Sequence, residues 1–333
     1  MRKFSKLTMI AIGVGSTLSA GGACAHALAQ ADINISNFIF TKGGIAYTPF
    51  AFGDFVQLNI IDSLNNQANL CLAAACPPGA QLSDSKSATS VTFQPSVDAS
   101  QATVGANPKG ENNYIASPVP PTATFARADS VLIGAPISGV PGVPSPLTAN
   151  TVAETSINGT ALGNSQGGIQ AQTGFTFTLA HAVNDAGLQF NASTFIQAWT
   201  QALSGPPTSA SASFSWEFRV VDGITGSTLV DWIPDGNILT GTQLGLNVQS
   251  EGCALVASAT ATFNQPSPIQ TCSGLFQATS SVAFLANHPY SFLINQTAQS
   301  QAVETTAVPE PATLSLLGMA LAGIGLLSRR RKA

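Results

Sequence analysis

Two histidines, three grouped aspartates and four cysteines are the residues with which the body of this chain could do chemistry. His181 and His288 would each need a serine and a carboxylate brought to them to form a hydrolytic relay. Both instead stand in polar loop sequence, Ala180-His181-Ala182 and Asn287-His288-Pro289, and read as incidental; an exported hydrolase is the weakest functional reading, and no catalytic residue is assigned. Asp222, Asp231 and Asp235 surround a glycine-rich hairpin and could offer carboxylates to Ca²⁺. They lack the spacing of a calcium loop, and aspartate at a turn ordinarily bonds its own backbone, so no cofactor or metal is expected beyond that one calcium alternative. Cys71, Cys76, Cys253 and Cys272 have no paired Cys-x-x-Cys and no nearby histidines, which favours disulfides over a metal centre. Proximity favours Cys71–Cys76 and Cys253–Cys272 among the three possible connectivities.

The clearest chemistry is processing chemistry at the two ends. Arg2, Lys3 and Lys6 precede the apolar stretch Leu7–Leu18, and small residues follow. That order is a secretory signal peptide, residues 1–29, and its partner is signal peptidase. Ala27 and Ala29 supply the small residues at −3 and −1 and place the mature start at Gln30; cuts after Ala25, Ala27 or Ala31 satisfy the same rule. At the other end, Val308, Pro309, Glu310 and Pro311 lead into sixteen uncharged residues, Ala312–Leu327, and then Arg329, Arg330, Arg331 and Lys332. A sixteen-residue helix is about 24 Å long, slightly less than a ~30 Å hydrocarbon core. The four basic residues act as a stop-transfer anchor on the cytoplasmic side, so everything between the two ends faces outward. A transmembrane helix is therefore expected over 312–328.

This three-part ending resembles the PEP-CTERM sorting signal of Gram-negative bacteria that make exopolysaccharide. The resemblance covers residues 306–333. It implies an exosortase as partner, processing near Pro309–Pro311, and an inner-membrane precursor that passes to the cell surface or extracellular matrix. There the resemblance implies a structural or adhesive role in exopolysaccharide or biofilm. In the body, Ala128-Asp129-Ser130, Asn150 to Glu154 and the hairpin Phe214–Gly236 are similar to one group of exosortase-dependent surface proteins with a shared β ectodomain. Ala128 stands where that group's acidic motif has glutamate, and the group has no assigned catalytic residues.

Seven of the twelve basic residues belong to the two ends. Between Gln30 and Val308 five basic residues face fifteen acidic ones, a net charge near −10. Nucleic acid is thereby excluded as a partner, whereas neutral sugars and divalent cations are compatible.

These residues must be positioned by β-structure. Phe214, Trp216, Phe218 and Val220 alternate with polar residues, Asp222-Gly223 turns the chain, and Leu229–Ile233 returns. Similar alternation runs through Phe175–Leu179, Leu255–Phe263 and Tyr290–Ile294, and Phe38–Phe40 and Phe55–Ile61 predict early strands. Phe195, Ile196, Trp199 and Leu203 share a helical face, predicting one short helix over Ser193–Leu203. Residues 80–145, rich in Pro, Ser, Gly and Ala, predict a long or poorly ordered loop. The expected fold is mainly β: a jelly-roll-like antiparallel sandwich over 30–305 with one short helix, followed by the membrane helix.

Overall fold

The structure, a computed structural model, describes residues 26–48, 55–73, 76–90, 96–115, 123–139, 145–201, 208–262 and 267–304. Sixteen strands account for the elements described. They are β1 (His26–Lys42), β2 (Ile45–Ala46), β3 (Phe55–Cys71), β4 (Gln81–Ser90), β5 (Ser96–Gly105), β6 (Phe125–Ile133), β7 (Leu147–Asn158) and β8 (Ala161–Leu179). They continue as β9 (Ala186–Gln201), β10 (Thr208–Asp222), β11 (Thr228–Ile233), β12 (Thr242–Leu244), β13 (Leu246–Ser250), β14 (Val256–Thr262), β15 (Gln270–Ser280) and β16 (Pro289–Glu304).

Every pairing is antiparallel. The first sheet runs β13-β15-β9-β1-β7-β6-β5, with β2 folded back on β1; the second runs β12-β11-β10-β16-β8-β3-β4, with β14 also paired to β10. One continuous apolar core contains residues of both sheets, so the architecture is a face-to-face sandwich. The interior is wedge-shaped. At the end away from the β7–β8 turn it holds Phe38, Phe190, Trp216, Phe218, Trp232 and Phe276, with Phe190 stacked on Phe276 at 4.8 Å between ring centroids. Near the β7–β8 turn it gives way to two small clusters without aromatic rings, Ala27, Leu70, Ile157, Ala161 and Ala302 in one and Ala68, Ala102 and Ala126 in the other. There a Cβ on Gly163 would come within 2.7 Å of Thr155 Cγ2, so glycine is what lets the sheets approach.

Buried amides pin the two sheets together. Gln296, beside a bulge in β16, donates to the carbonyls of Ile33 and Ala149 and to Thr151 Oγ1 at 3.0–3.2 Å. Asn66 of β3 donates to the Ala99 carbonyl and accepts from Ser130 Oγ at 2.7 Å.

Two sequence expectations are corrected. Ser193–Gln201 is not helical; it lies in β9, an interior strand paired with β1 and β15. Its inward Ile196 and Ala198 and its outward Phe195 are all buried, so the alternation of a half-exposed strand is lost and mimics a helical face. The expected loop 80–145 contains β4, β5 and β6. β4 closes the edge of its sheet with exposed Ser83, Ser85, Lys86 and Ser87, a polar sequence that protects an edge from further pairing. Among the described residues no helix is long and apolar enough to cross a membrane; the expected membrane helix 312–328 lies outside them.

Candidate functional site

The sorting residues Val308, Pro309, Glu310 and Pro311 and the basic residues Arg329, Arg330, Arg331 and Lys332 lie outside the described residues. The strand that leads to them, β16, stays paired to Glu304, opposite Thr208 and Ala161. Ala27 and Ala29, expected to flank the signal cleavage, are inside β1, buried and paired on both sides. The disulfides are Cys71–Cys76 and Cys253–Cys272, with Cα separations of 5.6 and 6.2 Å.

The chemistry-bearing residues of the hairpin are engaged by turns. Asp222 Oδ1 accepts the amides of Ile224 and Thr225 at 2.8 Å, and its Oδ2 meets His288 Nε2 at 2.7 Å. The Thr225 amide, with the Ile224 amide and His288 assisting, pulls its pKa down to about 2. His288 thus has a carboxylate partner that its sequence context did not reveal, while His181 is exposed. Asp235 accepts from the Asn237 amide and the Thr240 hydroxyl at 3.0 and 2.9 Å. One serine does sit in nucleophile-elbow spacing, Gly163-Asn164-Ser165-Gln166-Gly167. An elbow is a strand-to-helix turn, whereas Ser165 is buried within β8, its hydroxyl 2.7 Å from Ser300 Oγ in the interior.

A charged row that sequence reasoning missed crosses the outer face of the first sheet. Thr103, Arg127, Glu154, Gln30 and Gln197 are in register across β5, β6, β7, β1 and β9. Arg127 and Glu154 are fully buried and joined at 2.8 Å, and Lys109 reaches the same Glu154 oxygen at 2.8 Å. The segment 106–115 lies over this row. Arg127 donates to the Asn113 carbonyl at 2.9 Å, and the Asn112 amide donates to Asp129 Oδ2 at 2.7 Å. Burial lowers the Lys109 pKa against the pull of Glu154. Burial raises Asp32, beside the row, to about 7, and Asp129 to about 6. Asp98, Glu111 and Asp129 place one oxygen each within 4.8 Å of one another. Those carboxylates also accept from Asn112 Nδ2, the Gln101 amide and Tyr114 OH, so they clamp the covering segment.

The outer face of the second sheet near the same end is different in kind. Gln67, Gln166, Gln299, Ser213 and Ser258 form one row across β3, β8, β16, β10 and β14; Asn69, Asn164, Gln301, Ser211 and Thr260 form the next. They line a groove of about 440 Å³ with no ionisable side chain in its wall. Asn69 donates to Asn164 at 2.9 Å, and the groove otherwise presents amides and hydroxyls to solvent.

No curated protein and no solved structure matches the chain. Comparison with protein families matches residues 307–332 to the PEP-CTERM protein-sorting motif. The motif implies an exosortase as sorting partner, export, and a membrane-anchored precursor. Over those 26 of its 333 residues the chain carries the sorting signal of an exported, exosortase-sorted protein.

Proposed function

We propose that the protein is a non-enzymatic component of the cell surface or extracellular matrix, with a structural or adhesive role in exopolysaccharide or biofilm. The observation that carries the reading is the sorting motif at 307–332 behind an all-β domain. Its support is that Asp222, Asp235 and His288 are spent on turns and Ser165 on the interior. The N-terminal signal delivers the chain across the inner membrane, the apolar segment 312–328 holds it there transiently, and the exosortase releases it near Pro309–Pro311. Fractionation of the host with and without its exosortase tests this. The protein is expected in the surface or matrix fraction only when the exosortase is present; equal amounts in both strains would contradict the proposal.

A second reading, a carbohydrate-binding module, is favoured by the uncharged groove of Gln67, Gln166 and Gln299. Rows of amides and hydroxyls match the donors and acceptors of neutral sugars. A glycan array with and without EDTA tests it and also separates direct sugar contacts from calcium-mediated ones. Binding that survives EDTA and is lost in Gln166→Ala/Gln299→Ala supports the groove; no binding to any glycan removes the reading.

A further inference from the structure

β1 is an interior strand of the first sheet, with β7 on one side and β9 on the other. Among the described residues it is paired on both sides from His26 onward: His26 is opposite Asn158 and Gln201, Ala27 opposite Ile157 and Thr200, Leu28 opposite Ser156 and Trp199, and Ala29 opposite Thr155 and Ala198. Ala27, Leu28 and Ala29 are 1%, 1% and 0% exposed, and Ala27 packs with Leu70, Ile157, Ala161 and Ala302 to close the narrow end of the core.

A chain beginning at Gln30 would lose these four residues. The ends of β7 and β9 would then face each other across roughly 10 Å, two strand spacings, with no partner between them. An edge strand tolerates such a loss, because its outer side is already solvated. An interior strand does not, because backbone groups on both neighbours lose their partners and the core below is uncovered.

The sequence immediately before β1 is Ala23-Cys24-Ala25, with small residues at the −3 and −1 positions of a cut between Ala25 and His26. That cut leaves all of β1 as described, His26–Lys42, in the mature protein. It also falls at a particular place in the fold. His26 is opposite Asn158, and Glu304, the last residue of β16, is opposite Ala161, so both flank the tight turn that joins β7 to β8. The first and last described residues of the domain thus lie at the same end of the sandwich.

We propose that signal peptidase cuts between Ala25 and His26, so that the mature domain keeps every described residue of β1. The inference rests on the reading of the N-terminal segment as an export signal. It replaces the mature start at Gln30 with one of the other cuts that satisfy the −3/−1 rule, chosen by the register of β1.

The test is mass spectrometry of the N-terminal peptide of the full-length protein recovered from its host. A peptide beginning at His26 is expected. One beginning at Gln30 or Asp32 overturns the cleavage site while leaving the export reading intact, and a chain retaining Met1 overturns both. Ala25→Leu gives a second readout, since it alters no described residue of the sheet. It is expected to abolish the species beginning at His26 and to accumulate precursor. An Ala25→Leu protein processed to the same mass and yield as the parent would also overturn the proposal.

Discussion

Removing Arg127 should be among the most damaging single changes in this domain. Its guanidinium is fully buried, bonded to Glu154 at 2.8 Å and to the Asn113 carbonyl at 2.9 Å. In Arg127→Ala, Glu154 remains buried with only Lys109 to balance it. Breaking one side of a buried pair costs about 3–5 kcal/mol, because it strands an uncompensated charge. That is a large part of the roughly 5–15 kcal/mol by which a typical domain is stable. Lys109→Ala leaves the Arg127–Glu154 pair whole and removes one charge-assisted contact at the rim, so a smaller loss, about 1.5–3 kcal/mol, is expected. Replacing both partners, Arg127→Met with Glu154→Met, removes the charges together and should cost less than Arg127→Ala alone. Urea unfolding of the disulfide-intact protein measures all three as shifts in midpoint at constant slope. An Arg127→Ala loss below about 1 kcal/mol, typical of exposed pairs, would refute the burial of this row under segment 106–115.

Burial raises Asp32, Asp62 and Glu304 to about 7 and Asp129 to about 6 in the folded protein. Folded values above the unfolded range of roughly 4 mean that their contribution is complete below pH 4 and is lost as pH rises through 6 to 7. Thermal unfolding should therefore occur at higher temperature at pH 5 than at pH 8; the opposite order would contradict those raised values. Asp222 has the opposite sign, and its contribution disappears only as pH falls from roughly 4 toward 2. Cys253→Ala/Cys272→Ala opens a loop of sequence separation 19 and should cost about 3 kcal/mol in urea unfolding. Opening Cys71–Cys76, separated by 5, should cost less, and the reverse order would refute the loop-length argument. Four residues, 305–308, lie between Glu304, the last residue described in β16, and Pro309, and span at most about 14 Å. Deleting Thr305–Ala307 should therefore block C-terminal processing, whereas replacing them by Gly-Ser-Gly should not; normal processing of the deletion would show that the spacer sets no limit.

The parts of the fold that were legible in sequence are the half-exposed strands. β10 reads plainly because Phe214, Trp216, Phe218 and Val220 are buried while the residues between them reach solvent. β9 and β6 were hidden because both of their faces are covered. In β6 the outward Arg127 and Asp129 are as buried as the inward Ala126 and Ala128. β6 lies within the 80–145 stretch whose Pro, Ser, Gly and Ala content reads as loop, and nothing local in the sequence says that segment 106–115 will fold over Arg127 and Asp129. The start of β1 was hidden for another reason: His26–Ala29 satisfies both the pattern of a strand and the small-residue rule of a cleavage site, and only the register with β7 and β9 separates the two. The disulfide pairing was legible from proximity. The buried charged row and the two rows of the amide groove were not, since each row gathers one residue from each of five strands.

The sorting signal is tested most directly at the C-terminus itself. Mass spectrometry of the C-terminal peptide should be run on protein from the native surface fraction, with and without the host's exosortase. The account predicts a chain ending near Pro309–Pro311 when the exosortase is present and a chain retaining Ala333 when it is absent. A mature surface protein that keeps Ala333 in the normal host would contradict it, and the basic, apolar tail would then be a permanent anchor.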